Sequence, residues 1–216
     1  MNKTNLSISK DTPVVRSYTT EYRAESGNKV VGLAAVYGSR TQIGNWFYEI
    51  IDRGAFDETD LTDVLFCVNH DLSKIPLARS RRNNGNSTMQ LFVDERGLNM
   101  ESEIDVDKNA EASALYSAIE RGDITGMSFM FRIKDEVWED LDSNMPTRRI
   151  TKVAKVWEVS AVNFPAYEST GIDAREARSL ESDLKALENA RAALDKAKNE
   201  VEMLKLRNQI LSKVRK

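Results

Sequence analysis

The chain has 216 residues, of which 41% are hydrophobic, and its formal net charge at pH 7 is −3. This length fits one core domain plus an appendage, and the apolar fraction is sufficient for a buried core. A slightly acidic chain is not, as a whole, an electrostatic nucleic-acid binder. A single cysteine excludes an internal disulfide and favours a reducing, cytosolic setting. No apolar stretch approaches the ~20 residues that a membrane span needs.

The same counts bear on metal and cofactor sites. One histidine and one cysteine cannot supply the usual zinc ligand sets, although carboxylates remain available to a hard cation. We therefore expect no zinc centre and no cofactor. The N-terminus also lacks the apolar core of a signal peptide.

Predicted strands dominate the first three quarters of the chain. Residues 1–12 are polar and are predicted to be a flexible N-terminus. Eight later segments alternate in polarity or are rich in β-branched and apolar residues, as strands are. They are residues 14–23, 30–37, 46–51, 64–70, 88–93, 98–104, 127–137 and 150–164. One helix is predicted at 109–121, where apolar residues share a face and Gly122 ends the helix.

This element order predicts the fold class. Many strands with one inserted helix indicate a mainly β protein with helices (α+β). The expected architecture is a closed or nearly closed antiparallel β-barrel at residues 13–172. A separate helical tail is expected at residues 173–216.

The tail is predicted to be one long helix. From about residue 175 onwards it has no Gly or Pro and is rich in Ala, Leu, Glu, Lys and Arg. Apolar residues recur every seven positions in two offset sets. These are Leu180, Leu187, Leu194 and Val201, and Ala190, Ala197, Leu204 and Leu211. Because Arg191 and Lys198 keep this stripe narrow, a coiled coil or a partner-binding helix fits better than a core helix. The last twelve residues are basic and contain no acid.

His70 and Ser128 are the first candidates for chemistry. His70 is the only histidine and ends an apolar run, while Ser128 places a small hydroxyl inside the bulky run GMSFMF. Each also has a purely structural interpretation. His70 would be a hydrogen-bonded histidine at a strand end, and Ser128 a strand serine without function. Together they suggest a general base and the nucleophile that it activates. Amides near Gly126, Met127 and Phe129 are candidate donors to an oxyanion.

A third group must orient the imidazole and stabilise its charged form. Glu158 is the preferred candidate, because a carboxylate inside the apolar run VWEVSAV is costly unless it is paired. The alternative for Glu158 is an outward-facing strand residue. Asp71 is a rival, and Ser160 is a further candidate, as a hydrogen-bond partner only.

Two other features have simpler explanations. Cys67 lies three residues from His70 on the same predicted strand, so the two side chains should face opposite ways. A small core residue is therefore favoured over a cysteine nucleophile. Arg79, Arg81 and Arg82 form a basic cluster that reads as a solvated loop, although an arginine there is a weak candidate for oxyanion stabilisation.

Five segments in order resemble the prohead (head maturation) serine protease family of tailed bacteriophages. They are VVGLAAVY (30–37), EIIDRGAF (49–56), VNHD (68–71), GMSFMF (126–131) and WEVSAVNFPAY (157–167). The family is similar in fold to the herpesvirus assemblin proteases, which implies an assemblin-type barrel. The resemblance assigns the base to His70 and the nucleophile to Ser128. Herpesvirus enzymes use a second histidine, which this chain lacks, so the third group remains open.

The resemblance also implies a biological role. It predicts a serine endopeptidase that acts in virion assembly, inside the immature capsid (prohead) in the host cytoplasm. The implied substrates are the scaffolding region of the major capsid protein and, by autocleavage, the chain itself. Residues 175–216 would dock on a partner or self-associate. No nucleic acid or membrane is expected as a partner.

Two other functions are compatible with the sequence. An inactive scaffold or assembly chaperone would bind capsid subunits through the C-terminal helix. A small-ester hydrolase would use the same serine and histidine but leaves the tail unexplained. The cleavage motif, the oligomeric state and the activation trigger do not follow from the sequence.

Overall fold

The computed structural model describes residues 4–5, 13–19, 22–163 and 174–214. Within these ranges the chain forms twelve strands and two helices. The strands are β1 Thr4–Asn5, β2 Val14–Thr19, β3 Tyr22–Glu25, β4 Lys29–Val36, β5 Thr41–Ile43, β6 Phe47–Ile51, β7 Leu65–Val68, β8 Ala78–Arg79, β9 Met89–Val93, β10 Gly97–Glu103, β11 Gly126–Glu139 and β12 Thr147–Val162. The helices are α1 Ala110–Glu120 and α2 Ala174–Val214.

The larger sheet is built on the long antiparallel hairpin of β11 and β12. The free edge of β11 is covered by β2 along its first half and by β1 near its end. The free edge of β12 pairs with β6 and β7, which are extended in turn by β5 and β8. The smaller sheet has the order β3-β4-β10-β9 and is antiparallel.

The main apolar core joins the two sheets and α1. Phe129 and Phe131 of β11 stack with ring centroids 4.4 Å apart and belong to the same core cluster as Met100 of β10 and Leu115 of α1. The helix starts where predicted, because the Asn109 side chain accepts hydrogen bonds from two free amides of the first turn. Alternate residues of β11, namely Met127, Phe129 and Phe131, belong to this core, which therefore lies against one face of the strand.

The predicted mixed α+β class, mostly strands with one long C-terminal helix, is confirmed. Neither sheet is closed into a barrel by the strand pairs of the described residues. The expectation of a wholly antiparallel sheet is wrong, since β12 runs parallel to β6 and to β7. Long connections separate these strands from β12, and such crossovers allow parallel pairing. Of the predicted flexible segment 1–12, Thr4–Asn5 form a strand and the rest lies outside the described residues.

The first half of α2 packs on the chain's own β-domain. Leu187 and Ala190 are buried in a second apolar cluster with Phe47 and Trp138. Arg191 donates to the carbonyl of Leu141 at 3.3 Å. The predicted heptad stripe is therefore used here against the domain and not against a partner helix. Beyond this part the helix carries exposed apolar side chains, namely Val201, Met203, Leu204, Leu206, Ile210 and Leu211.

A buried ion cluster also holds α2 to the domain. Asp183 of α2 accepts from Arg16 of β2 at 2.8 Å and from Arg148 of β12 at 2.6 Å. Glu49 of β6 binds Arg16 through both carboxylate oxygens, and Glu136 of β11 binds Arg148. All five side chains are at most 4% exposed. Burial alone lowers the pKa of Arg148, but the surrounding carboxylates outweigh it, and this pKa is raised above its usual value.

Removal of the Asp183 carboxylate is expected to weaken the fold. Asp183→Ala leaves two buried guanidinium groups short of a partner, a change that lowers the free energy of unfolding by about 3–5 kcal/mol. Glu181→Ala, an exposed change on the same helix, is the matched control and should stay within about 0.5 kcal/mol of the wild type. Chemical denaturation measures both. Equal stability of the two variants would show that the cluster does not secure the helix.

Candidate active site

The middle of the larger sheet positions Ser128. It lies near the start of β11, directly opposite Ser160 of β12 on one side and Ser17 of β2 on the other. Because the strand is paired on both sides, the backbone of Ser128 is held rigidly. The side chain is completely buried in the single chain.

A turn after β7 brings His70 over the same sheet. The parallel pairing of β7 with β12 ends at Val68, and the amide of Asn69 still donates to the carbonyl of Ala161 at 2.9 Å. Asn69 and His70 then adopt the left-handed region, with φ of +50° and +57°. Residues other than glycine adopt this backbone conformation at a cost in free energy, and such residues are often found at functional sites. The turn directs the imidazole back towards β11.

The three predicted side chains form a continuous hydrogen-bonded chain. The Nε2 atom of His70 lies 2.6 Å from the Oγ atom of Ser128. The Nδ1 atom lies 2.6 Å from the Oε2 atom of Glu158 on β12. Glu158 is completely buried and His70 is 5% exposed. The sequence-predicted trio is therefore brought together by two strands, β11 and β12, and by the turn that follows a third, β7.

An ionised Glu158 sets the tautomer of a neutral His70. The carboxylate of Glu158 only accepts, so Nδ1 of His70 carries a hydrogen and Nε2 of the neutral ring is an acceptor for the Ser128 hydroxyl. The hydroxyl has a second acceptor within reach, the backbone carbonyl of Arg16 at 3.0 Å. Since the hydroxyl has one proton, the carbonyl competes with the imidazole for it. The arrangement is able to activate Ser128 as a nucleophile.

The other candidates take different places. Asp71, the rival third group, accepts from the amide and the hydroxyl of Ser73 in the turn after His70. Cys67 is buried on β7, and His70 lies beyond the end of that strand, so the argument from a shared strand does not apply. Arg79 on β8 binds Asp63 through two contacts of 2.7 and 2.9 Å and is exposed.

The candidate oxyanion donors are part of β11. Gly126, Met127 and Phe129 each face a partner residue on β12 and another on β2. In a strand with two neighbours the amides point within the sheet towards those neighbours. An oxyanion site built from these amides therefore requires a local opening of the strand pairing on at least one side of β11. Their role stays a prediction.

Sequence reasoning named Ser160 only as a general hydrogen-bond partner, and it missed the carbonyl of Arg16. The hydroxyl of Ser160 donates to Oε1 of Glu158 and accepts from the amide of His70 at 3.0 Å. The carbonyl of Arg16 reaches the Ser128 hydroxyl. The contact of Ser160 with the His70 amide and that of the Arg16 carbonyl with Ser128 depend on the register of two strands, which spacing does not reveal. In the described part of the chain, no three His, Cys, Asp or Glu side chains converge as metal ligands.

Comparison with known families agrees with this geometry. The family model described as caudovirus prohead serine protease matches residues 15–185. The chain belongs to this family. Membership supports a protease role in phage head maturation, and the match includes all three residues of the hydrogen-bonded chain. No curated protein and no solved structure gives a significant match. None of the helices in the described ranges has the length and apolarity of a membrane span.

Proposed function

We propose that the chain is a serine endopeptidase that cleaves the scaffolding region of the phage major capsid protein, and itself, during prohead maturation. Ser128 is the nucleophile, His70 the general base and Glu158 the third member of the triad. The continuous hydrogen-bonded chain from Ser128 through His70 to Glu158 carries this proposal. Family membership supports it independently.

The mechanism follows from the order of the three groups. His70 takes the proton of Ser128 as the serine oxygen attacks the scissile carbonyl, and Glu158 stabilises the resulting imidazolium. The tetrahedral intermediate collapses when His70 gives its proton to the leaving amine. An acyl-enzyme remains. Water, deprotonated by His70, then attacks the acyl group and releases Ser128.

The burial of Ser128 bears on regulation. With 0% exposure in the single chain, its oxygen is closed to a substrate carbonyl, and β2 supplies the competing acceptor. Cleavage therefore needs a rearrangement that exposes the serine and frees amides near residues 126–129 as oxyanion donors. We expect activity to remain low until the enzyme is concentrated within the immature capsid in the host cytoplasm.

The partner side of the proposal concerns α2. Lys198 of α2 still binds Asp142 between β11 and β12, and beyond it the helix carries apolar residues that are 48–68% exposed. Such a surface suits docking on the capsid protein or self-association. An inactive scaffold that binds capsid subunits through this surface is the second candidate function. We also propose that the chain is related to the assemblin proteases and shares their type of barrel. This relationship is an argument for the protease and not for the scaffold.

Co-expression with the capsid protein of the same phage tests the proposal. Wild-type chain is expected to shorten the capsid protein in assembled particles, as followed on gels and by mass spectrometry of the new termini. A truncated chain that retains residues 1–198 separates docking from catalysis, since it keeps the site and loses the exposed half of α2. Particles that assemble with uncleaved capsid protein in the presence of wild-type chain would instead favour the scaffold.

A further inference from the structure

We propose that Ser160 is a positioning residue that fixes His70 and Glu158 relative to each other. The inference rests on the proposed function, because it concerns the same site. The side chain is completely buried and its one oxygen serves both neighbours. It accepts from the backbone amide of His70 at 3.0 Å and donates to the Oε1 atom of Glu158.

The backbone of His70 needs this contact. Pairing of β7 with β12 ends at Val68, and the following amide, that of Asn69, makes the last ladder bond to β12. The His70 amide therefore lies past the last rung, in a left-handed turn, and is buried. Without the hydroxyl of Ser160 it would be a buried donor that lacks an acceptor. Ser160 thus holds the turn that carries the imidazole.

The carboxylate of Glu158 needs the same hydroxyl. Its Oε2 atom accepts from the imidazole at 2.6 Å, which leaves Oε1 as the oxygen that must find another donor in a dry environment. Ser160 lies two residues further along β12, so both side chains point to the same face of the sheet. The hydroxyl satisfies Oε1 and sets the plane of the carboxylate against the ring.

These contacts close a ring of hydrogen bonds. The ring runs from the Ser160 hydroxyl to Glu158, from Glu158 to the His70 imidazole, and through the His70 backbone back to Ser160. Ser160 also stands directly opposite Ser128 in the β11–β12 register. The imidazole is thereby located relative to the nucleophile by the sheet itself.

A single histidine allows a spectroscopic test that does not depend on activity. Histidine-selective ¹⁵N labelling of the full chain gives one backbone amide and one imidazole, both from His70. In Ser160→Ala we expect the amide to exchange with solvent about 10-fold faster and the Nδ1 proton signal to shift or broaden. Unchanged exchange and an unchanged Nδ1 signal would overturn the proposal.

Matched variants separate positioning from packing. Ser160→Thr keeps the hydroxyl, and Ser160→Val has the shape of threonine but no hydroxyl. The Thr variant should therefore retain the wild-type signals, and the Val variant should lose them. This pair decides the question even if Ser160→Ala does not fold. Ser102→Ala is the control, since this buried strand serine has no hydrogen-bond partner among the described residues. Equal signals from the Thr and Val variants would refute the role of the hydroxyl.

The effect on cleavage is measured separately in assembled particles. Loss of the hydroxyl should slow cleavage by about 10- to 100-fold, because the two hydrogen bonds that hold His70 and Glu158 in place are lost. Ser160→Thr should restore most of the rate. If wild-type chain cleaves nothing while the His70 signals still respond to Ser160, the proposed function fails and the positioning inference stands. If cleavage by the Ala and Val variants equals that of the wild type, the inference fails and the function stands.

Discussion

Replacement of Ser128 by alanine is expected to abolish cleavage of the capsid protein in assembled particles. The change removes the oxygen that lies 2.6 Å from the His70 Nε2 atom and leaves no nucleophile for the acyl-enzyme route. A loss of at least about 10⁴-fold is expected from serine proteases whose nucleophile is removed. A time course of capsid cleavage on gels, with the variant co-expressed at the wild-type level, measures it.

The same loss is expected for His70→Ala, and the double variant should be no slower than either single variant. Residues that act as one unit are not additive, because removal of one makes the other useless. Ser102→Ala serves as the control, as it also removes a buried strand hydroxyl but lies on β10 in the other sheet. Retained cleavage in Ser128→Ala would assign the nucleophile elsewhere. Additive losses would argue against a shared mechanism.

The three candidate site residues could be selected from the sequence because such residue types are rare or out of place in it. One histidine leaves a single candidate base, and a serine and a glutamate inside apolar runs stand out by residue type alone. Most strand positions and the long helix also follow from local periodicity. These are properties of neighbouring residues, which a sequence displays directly.

The arrangement of the strands was less predictable, because pairing partners are chosen by tertiary contacts. The parallel pairing of β7 with β12 places Cys67 opposite Ser160 and the turn at His70 over Ser128. Local pattern does not contain that register. The same limit explains why the role of Ser160 was seen only as a general hydrogen-bond partner.

In the C-terminal helix, local periodicity predicts the helix correctly but not the surface that its apolar residues contact. Leu187 and Ala190 occupy heptad positions, yet they pack on the β-domain. Asp183 lies seven residues before Ala190 and so occupies an apolar position of the heptad pattern. A carboxylate at such a position indicates a buried charge, which here belongs to the ion cluster. Periodicity identifies an apolar stripe but not the surface that covers it. The proposed docking role therefore concerns the exposed residues of the stripe beyond Lys198.

Replacement of Glu158 by glutamine is expected to slow cleavage by about 10⁴-fold, the effect seen when the carboxylate of a serine protease triad becomes an amide. Glutamine keeps the size of the side chain but removes the negative charge that stabilises the imidazolium. Its amide group also allows the tautomer with hydrogen on Nε2, which is the wrong form for a base towards Ser128. The fold should persist, because the volume of the completely buried residue is unchanged.

Two comparisons make this result specific to the charge next to His70. Glu103→Gln, an exposed change at the end of β10, should cleave at the wild-type rate. In ¹⁵N-histidine spectra of Glu158→Gln, the lone imidazole should show a changed distribution of hydrogen between its two nitrogens. Glu158 contacts the Nδ1 atom of His70 at 2.6 Å and is not placed to contact the substrate. The loss of activity should therefore appear in kcat more than in KM. Wild-type cleavage by Glu158→Gln would reduce the mechanism to a Ser128–His70 dyad, with the carboxylate serving only to satisfy a buried hydrogen bond.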